Sequence, residues 1–209
     1  MARILLGVTG SVAAMRTPLL VGALAEAGHE GKVLATEPAR YFFDAAELPS
    51  GVLHTEADEW PRRAAGTPFQ REDPVLHIEL RRWAELLLIA PLDANTLAKL
   101  ALGLADNALT CVWRAWDPER PCLLAPAMNT LMWDHPLTRW HLWLLLEQFR
   151  LPSPRSELSP EELVALINEQ SQRLRFVGPI AKHLACGDVG MGGMAEVADI
   201  VSDVTATLG

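Results

Sequence analysis

The sequence is short of cysteine, of net positive charge and of long apolar runs, and each shortage removes a class of protein. Its three cysteines, Cys111, Cys122 and Cys186, are odd in number and have no CxxC spacing. They frame neither a disulfide scaffold nor a zinc site, so no metal is expected and at least one thiol is free. A formal net charge of −8 at pH 7 leaves no basic face to displace counterions from nucleic acid or to bind an anionic membrane. No apolar stretch approaches the roughly 20 residues that span a bilayer, and the opening "MARILLGVTG" enters a strand pattern instead of a signal peptide. The expectation is a cytoplasmic protein with neither nucleic acid nor membrane as partner. Internal repeats and low-complexity tracts are missing as well. What remains is a chain of 209 residues, 50% hydrophobic, with material for one core and one domain over residues 1–209.

The apolar residues fall in a repeating order. "RILLGV" (Arg3 to Val8) is a short buried-strand pattern, followed by a Gly/Ser turn and by "VAAMRTPLLVGALAEAG", a helix closed by Gly28. "GKVLATEPA" precedes a helical stretch around Ala39 to Ala46. "AELLLIAP" and "PCLLAPAM" are two further strands, separated by the helical "NTLAKLALGLADNALTCVWRAW". Apolar strands alternating with helices predict an α/β fold, a Rossmann-like (flavodoxin-like) parallel sheet with helices on both faces. Such sheets bind ligands at the carboxyl ends of their strands, here after Val8, Ala35, Ala90 and Ala125. From about residue 150 to 175 prolines, serines and mixed charge read as a surface excursion. Ser159-Pro160-Glu161-Glu162 marks a helix start within it.

The strand ends carry the candidate chemistry. "GVTGSVAA" opens the first helix, where free amides and the positive dipole end can hold a phosphate and Ser11 can add a hydroxyl; the same glycines can equally serve a tight turn. Thr36 in "ATEPA" is a second candidate contact. Asp93, Asn95 and Thr96 in "APLDANTLAKL" can cap a helix or hydrogen-bond a polar ring edge. Asn129, directly after a strand and among Met128, Met132 and Trp133, suits a flat aromatic ligand. His77 opens a short helix in "DPVLHIELRRW" and can act as a base near neutral pH. Cys186 sits in the Gly-rich "HLACGDVGMGGMAE", poor ground for a core residue.

Taken together, "GSVAA", "DPVLHIELRRWAELLLIAPLDANTLAKL", "DNALTCVWRAWD", "PAMNTLMW" and "LACGD…GMAE" resemble the flavin-containing cysteine decarboxylases. The resemblance runs in order from Met1 to about Glu147 and again from about Val177 to Val204. It implies FMN as cofactor, a homotrimer with active sites between subunits, and decarboxylation of phosphopantothenoylcysteine in coenzyme A synthesis. Carried over by residue, it implies FMN contacts from Gly10, Ser11 and Val12, from Thr36, Glu37 and Pro38, from Asp93, Ala94, Asn95 and Thr96, and from Ala127. It implies His77 as base and Cys186 as acid, and substrate contacts from Asn129, His183, Ala185 and Met194. His183 stands where Lys or Arg is common.

The implied reaction explains the cysteine. The substrate's amide nitrogen rules out pyridoxal phosphate, and direct loss of carbon dioxide would leave an unstabilised carbanion. Oxidation beside sulfur gives a thioaldehyde, an electron sink. Decarboxylation then gives an enethiol, and its reduction needs a proton that a thiol in a closing Gly-rich loop can deliver. A peptidyl-cysteine decarboxylase, the alternative within the fold, would release the enethiol without needing Cys186. A non-catalytic phosphatase-regulatory relative would bring long acidic extensions, which this chain lacks.

Overall fold

The computed structural model describes residues 1–152, 157–183 and 189–209. The first half of the chain supplies β1 (Arg3–Val8), α1 (Thr17–Glu26), β2 (Glu30–Ala35), β3 (Leu53–His54), α2 (Glu56–Glu59) and α3 (Leu76–Trp83). The centre supplies β4 (Leu86–Leu92), α4 (Ala94–Leu102), α5 (Ala108–Arg114), β5 (Cys122–Pro126), α6 (Thr130–Trp133) and α7 (Pro136–Gln148). The remainder forms α8 (Pro160–Gln170), β6 (Leu174–Phe176), β7 (Ile180–His183), β8 (Val189–Gly193) and α9 (Val197–Leu208).

The sheet has the order β3-β2-β1-β4-β5-β6, and all of its pairs are parallel. Without the two-residue β3 the order is that of a flavodoxin-like sheet; with it, that of the Rossmann fold. The reversal lies between β1 and β4, and the crevice at their carboxyl ends is the binding position of doubly wound sheets. Successive strand residues face opposite sides. Leu5, Leu87 and Ile89 join one buried layer with residues of α3, α4, α5, α7 and α8. Ile4, Leu6, Leu86 and Leu88 join the other, with α1 and α9. Both faces are covered, which is why β4 is buried at every position.

Several local expectations change. The long helix from Asn95 to Trp116 is two helices: Gly103 ends α4 in the left-handed region, φ 71°, and Asn107 caps α5 by accepting from the Thr110 amide at 2.9 Å. The stretch Ala39 to Ala46 holds 3-10 turns at Glu37–Tyr41 and Ala45–Glu47, because Asp44 leaves helical geometry to cap the second. The segment from 150 to 175 is no surface excursion throughout. Ser159 does start a helix, with Pro160 at its first turn and Glu162 closing a capping box. Leu163, Ile167, Leu174 and Phe176 are buried, however, and β6 extends the sheet beside β5. Asn168 ties α8 to β6, donating to the Phe176 carbonyl at 2.8 Å and accepting its amide at 2.7 Å. The apolar spacing inside a Pro/Ser-rich frame hid this edge. Part of the Gly-rich stretch expected as a loop is an antiparallel ladder, β7 with β8. No helix among the described residues is long and apolar enough to cross a membrane.

Candidate active site

Three of the loops expected to hold a cofactor converge at the carboxyl edge. Thr9, fully buried, donates from Oγ1 to the Pro91 carbonyl at 2.8 Å and accepts the Asp93 amide at 2.8 Å. It staples the turn after β1 to the loop after β4. The Thr36 amide donates to the Val8 carbonyl at 2.9 Å and brings in the turn after β2. A Cβ at Gly10 would stand 2.6 Å from Cβ of Pro38 and 3.5 Å from Oδ2 of Asp93. Only glycine lets the three loops meet. The Ala127 amide donates to the Leu92 carbonyl at 2.9 Å and adds the loop after β5.

Within this edge the capping readings hold, and they leave surface for a ligand. Asp93 caps α4, its Oδ1 accepting the Thr96 amide at 2.6 Å. Ala94 is half-buried, Asn95 exposed and Thr96 buried. Ser11 caps the 3-10 turn Val12–Arg16 that leads into α1, and Val12 is exposed. The Glu37 side chain turns to Arg40 at 3.1 Å, so an anion here would meet the backbone of that turn and not its carboxylate. A glycine cradle, a hydroxyl-bearing cap and a helix start together fit a phosphate. The half-buried polar edge beside them fits a flat ring.

The substrate side is built on the next turn. Asn129 caps α6, with Oδ1 accepting the Leu131 amide at 2.8 Å. The Met128 amide donates to the Gly192 carbonyl at 2.8 Å and fixes β8 on this turn. Gly192 has φ 127°, and a Cβ there would lie 2.3 Å from the Met128 oxygen; a Cβ at Gly190 would lie 2.7 Å from Oγ1 of Thr130. The glycines therefore permit close docking of a strand pair. His183 lies in β7, opposite Val189, whereas Ala185 and Cys186 lie outside the described residues. Met194 follows directly after β8. Its side chain is buried in the layer of Ala127, Val177 and Val197, as a core residue.

His77 occupies a different place. It is the second residue of α3, whose N-cap Val75 offers no side-chain cap. Glu59 supplies one from outside: Oε2 accepts the His77 amide at 2.9 Å, and Oε1 lies 2.6 Å from Nδ1. The Glu59 side chain is 2% exposed and that of His77 22%. Glu56, one helical turn earlier, accepts the Ala108 amide at the start of α5 at 2.8 Å. Glu56 and Glu59 of α2 thus cap two different helices. His77 opens on a cavity of ≈ 390 Å³ that it shares with Glu59, Trp60, Arg62, Phe69 and Val75. Arg62 is ion-paired with Asp73. No described loop residue of the sheet edge lines this cavity.

Two of the three thiols are unsuited to reaction. Burial drives the Cys122 thiol far above the usual range. Burial, then the carboxylates of Glu59 and Glu56, push Cys111 upward as well. Sequence reasoning missed Thr9, Glu59 and Thr130, whose buried Oγ1 has no hydrogen-bond partner among the described residues. Thr130 was within reach, one residue past Asn129. Glu59 was not, since "TEADEW" looks like any solvated acidic turn.

Fold and loops together define a class. The family model described as Flavoprotein matches residues 1–209, and the chain belongs to that family. More particularly, it is 45% identical over 212 residues to phosphopantothenoylcysteine decarboxylase of Mus musculus, covering 99% of this chain and 87% of the mouse protein. Among solved structures it superposes with a TM-score of 0.80 and 41% identity on a PPC decarboxylase with a cysteine-to-serine mutation, complexed with pantothenoylaminoethenethiol, covering 99% of this chain and 98% of that one. The FMN binding protein AtHal3 gives a TM-score of 0.75 at 43% identity, covering 98% and 95% of the two chains.

Proposed function

We propose that this protein is an FMN-dependent decarboxylase that converts N-(4-phosphopantothenoyl)-L-cysteine to 4-phosphopantetheine in coenzyme A synthesis. The observation that carries this reading is the docking of β8, through Gly190 and Gly192, on the Asn129 turn. It anchors the strands flanking Cys186 to the edge where the cofactor loops converge. When bound, FMN would supply reversible two-electron chemistry for the carbon beside sulfur. Gly10 to Val12, with Ser11 Oγ, would hold its phosphate, Thr36 to Pro38 would back that turn, and Asp93 to Thr96 with Ala127 would contact its ring.

The chain's own residues handle protons and position. His77 takes the thiol proton from the substrate as the carbon beside sulfur is oxidised. Asn129, with His183 and the main chain of Ala185 and Met194, orients the substrate's carboxylate and amide. After carbon dioxide leaves, Cys186 delivers a proton to the α-carbon of the enethiol. A solved relative with serine in place of a cysteine holds an enethiol, the species expected when such a proton is withheld. A catalytic thiol needs a reducing compartment, which supports a cytosolic location.

The assembly belongs to the same proposal: a homotrimer with each site shared between subunits. Two observations support it. The His77 cavity and the sheet-edge loops are separate among the described residues of one chain, and Leu131, Met132, Leu137 and Trp140 expose apolar surface beside the Asn129 turn. The experiment is turnover of phosphopantothenoylcysteine by Cys186→Ser, reconstituted with FMN. It should release carbon dioxide and accumulate a product two hydrogens lighter than phosphopantetheine, read by mass spectrometry, because a serine hydroxyl is a far weaker acid than a thiol. Phosphopantetheine formed at the wild-type rate would overturn the role of Cys186. A protein that cannot take up FMN would overturn the function.

A further inference from the structure

The bond between Glu59 and His77 does more than close a helix end. We infer that Glu59 is a positioning residue for the reaction: it fixes the His77 tautomer and leaves Nε2 as the basic nitrogen facing the cavity. This inference rests on the reading of His77 as base. A carboxylate oxygen only accepts, so across 2.6 Å Nδ1 must carry the proton. In a neutral imidazole the other nitrogen is then the acceptor. The second oxygen of Glu59 is occupied by the His77 amide at 2.9 Å. One carboxylate therefore sets both the place of the residue and the rotation of its ring.

Among the described residues Glu59 has no charged partner besides His77. Its side chain is 2% exposed, and Arg62, which lines the same cavity, is bound to Asp73. The backing elements, α2 and α5, bring Glu56, already bonded to the Ala108 amide, and the Cys111 thiol, which burial and the two carboxylates keep protonated. A buried carboxylate placed behind a histidine that opens on a cavity is the arrangement by which other folds hold an imidazole in one tautomer.

Glu59→Gln separates this role from simple capping. The amide keeps the volume and can still accept one N–H; the His77 main-chain amide can only donate, so the oxygen stays on it and the NH2 group faces Nδ1, which turns the ring to the Nε2–H tautomer. With FMN content and assembly retained, kcat should fall on the order of 10²- to 10⁴-fold while KM changes little, and Glu59→Asp should recover part of the loss. Nitrogen-15 NMR of histidine-labelled holoprotein, with His77→Asn used to assign the signal, should show Nδ1–H in the wild type and loss of that tautomer in Glu59→Gln. Added to His77→Asn, Glu59→Gln should cause no further loss. Wild-type kcat in Glu59→Gln, or an unchanged His77 signal, overturns the inference. Full activity of His77→Asn overturns the assignment of the base instead, and leaves the NMR result to decide the pairing by itself.

Discussion

The carboxyl edge of the sheet and the cavity beside α3 hold their candidate residues by different means. At the edge, three loops are tied by main-chain bonds, by the two-way hydroxyl of Thr9 and by the absence of a side chain at Gly10. At the cavity, one carboxylate eighteen residues away sets one imidazole. The edge is redundant and shape-based, as suits a large cofactor held at many points. The cavity depends on one bond, as suits a group that must present a single nitrogen. The first should degrade gradually under mutation and the second abruptly.

The sharpest test of that contrast is His77→Asn. It should leave FMN content and assembly intact but abolish flavin reduction by substrate, a loss of at least about 10²- to 10⁴-fold, followed by absorbance in a stopped-flow mixer. Near-normal decarboxylation would remove His77 from the mechanism. Next in size is Gly192→Ala. The new Cβ collides with the Met128 oxygen at a left-handed φ, so the docked hairpin must shift at about 1–3 kcal/mol. Turnover should drop while FMN remains bound; loss of FMN with normal stability would tie the hairpin to the wrong ligand. Thr9→Val should be milder. It removes both staple bonds and leaves the Asp93 amide and Pro91 carbonyl less satisfied, at about 1–3 kcal/mol of stability. Weaker FMN binding by equilibrium titration should accompany it, with the bound fraction still turning over.

The smallest effect concerns pH and lies outside both regions. Burial lowers the His141 pKa; burial, then Lys32, lowers that of His54. The folded state prefers both neutral, so their contribution is complete above the usual value of about 6.5 and is lost as pH falls through the folded values. Thermal midpoints should therefore decline on acidification below that point, and His141→Gln should flatten the decline. An unaltered slope would place the acid sensitivity elsewhere.

The legible parts of the molecule were those written in local pattern. The parallel sheet followed from the apolar runs at β1, β2, β4 and β5, and the binding edge from where those runs stop. The capping reading of Asp93 follows from side-chain chemistry within three residues. The sixth strand was hidden because Leu174 and Phe176 make too short a run beside prolines and serines to register as buried. Glu59 was hidden for another reason. Its partner is eighteen residues away, and a lone glutamate carries no mark of being buried until the fold turns α2 inward. Met194 sits among glycines, yet its side chain fills the core layer, a distinction set by the direction of the chain and not by its neighbours.

The central claim, that this edge and this cavity together run a flavin-dependent decarboxylation, is tested most directly by mixing the FMN-loaded protein anaerobically with phosphopantothenoylcysteine. The account predicts transient bleaching of the oxidised flavin, its return within the same turnover, and carbon dioxide and phosphopantetheine in equal amounts. Product formed without any change in flavin absorbance, or a flavin that stays oxidised while no carbon dioxide is released, would contradict it.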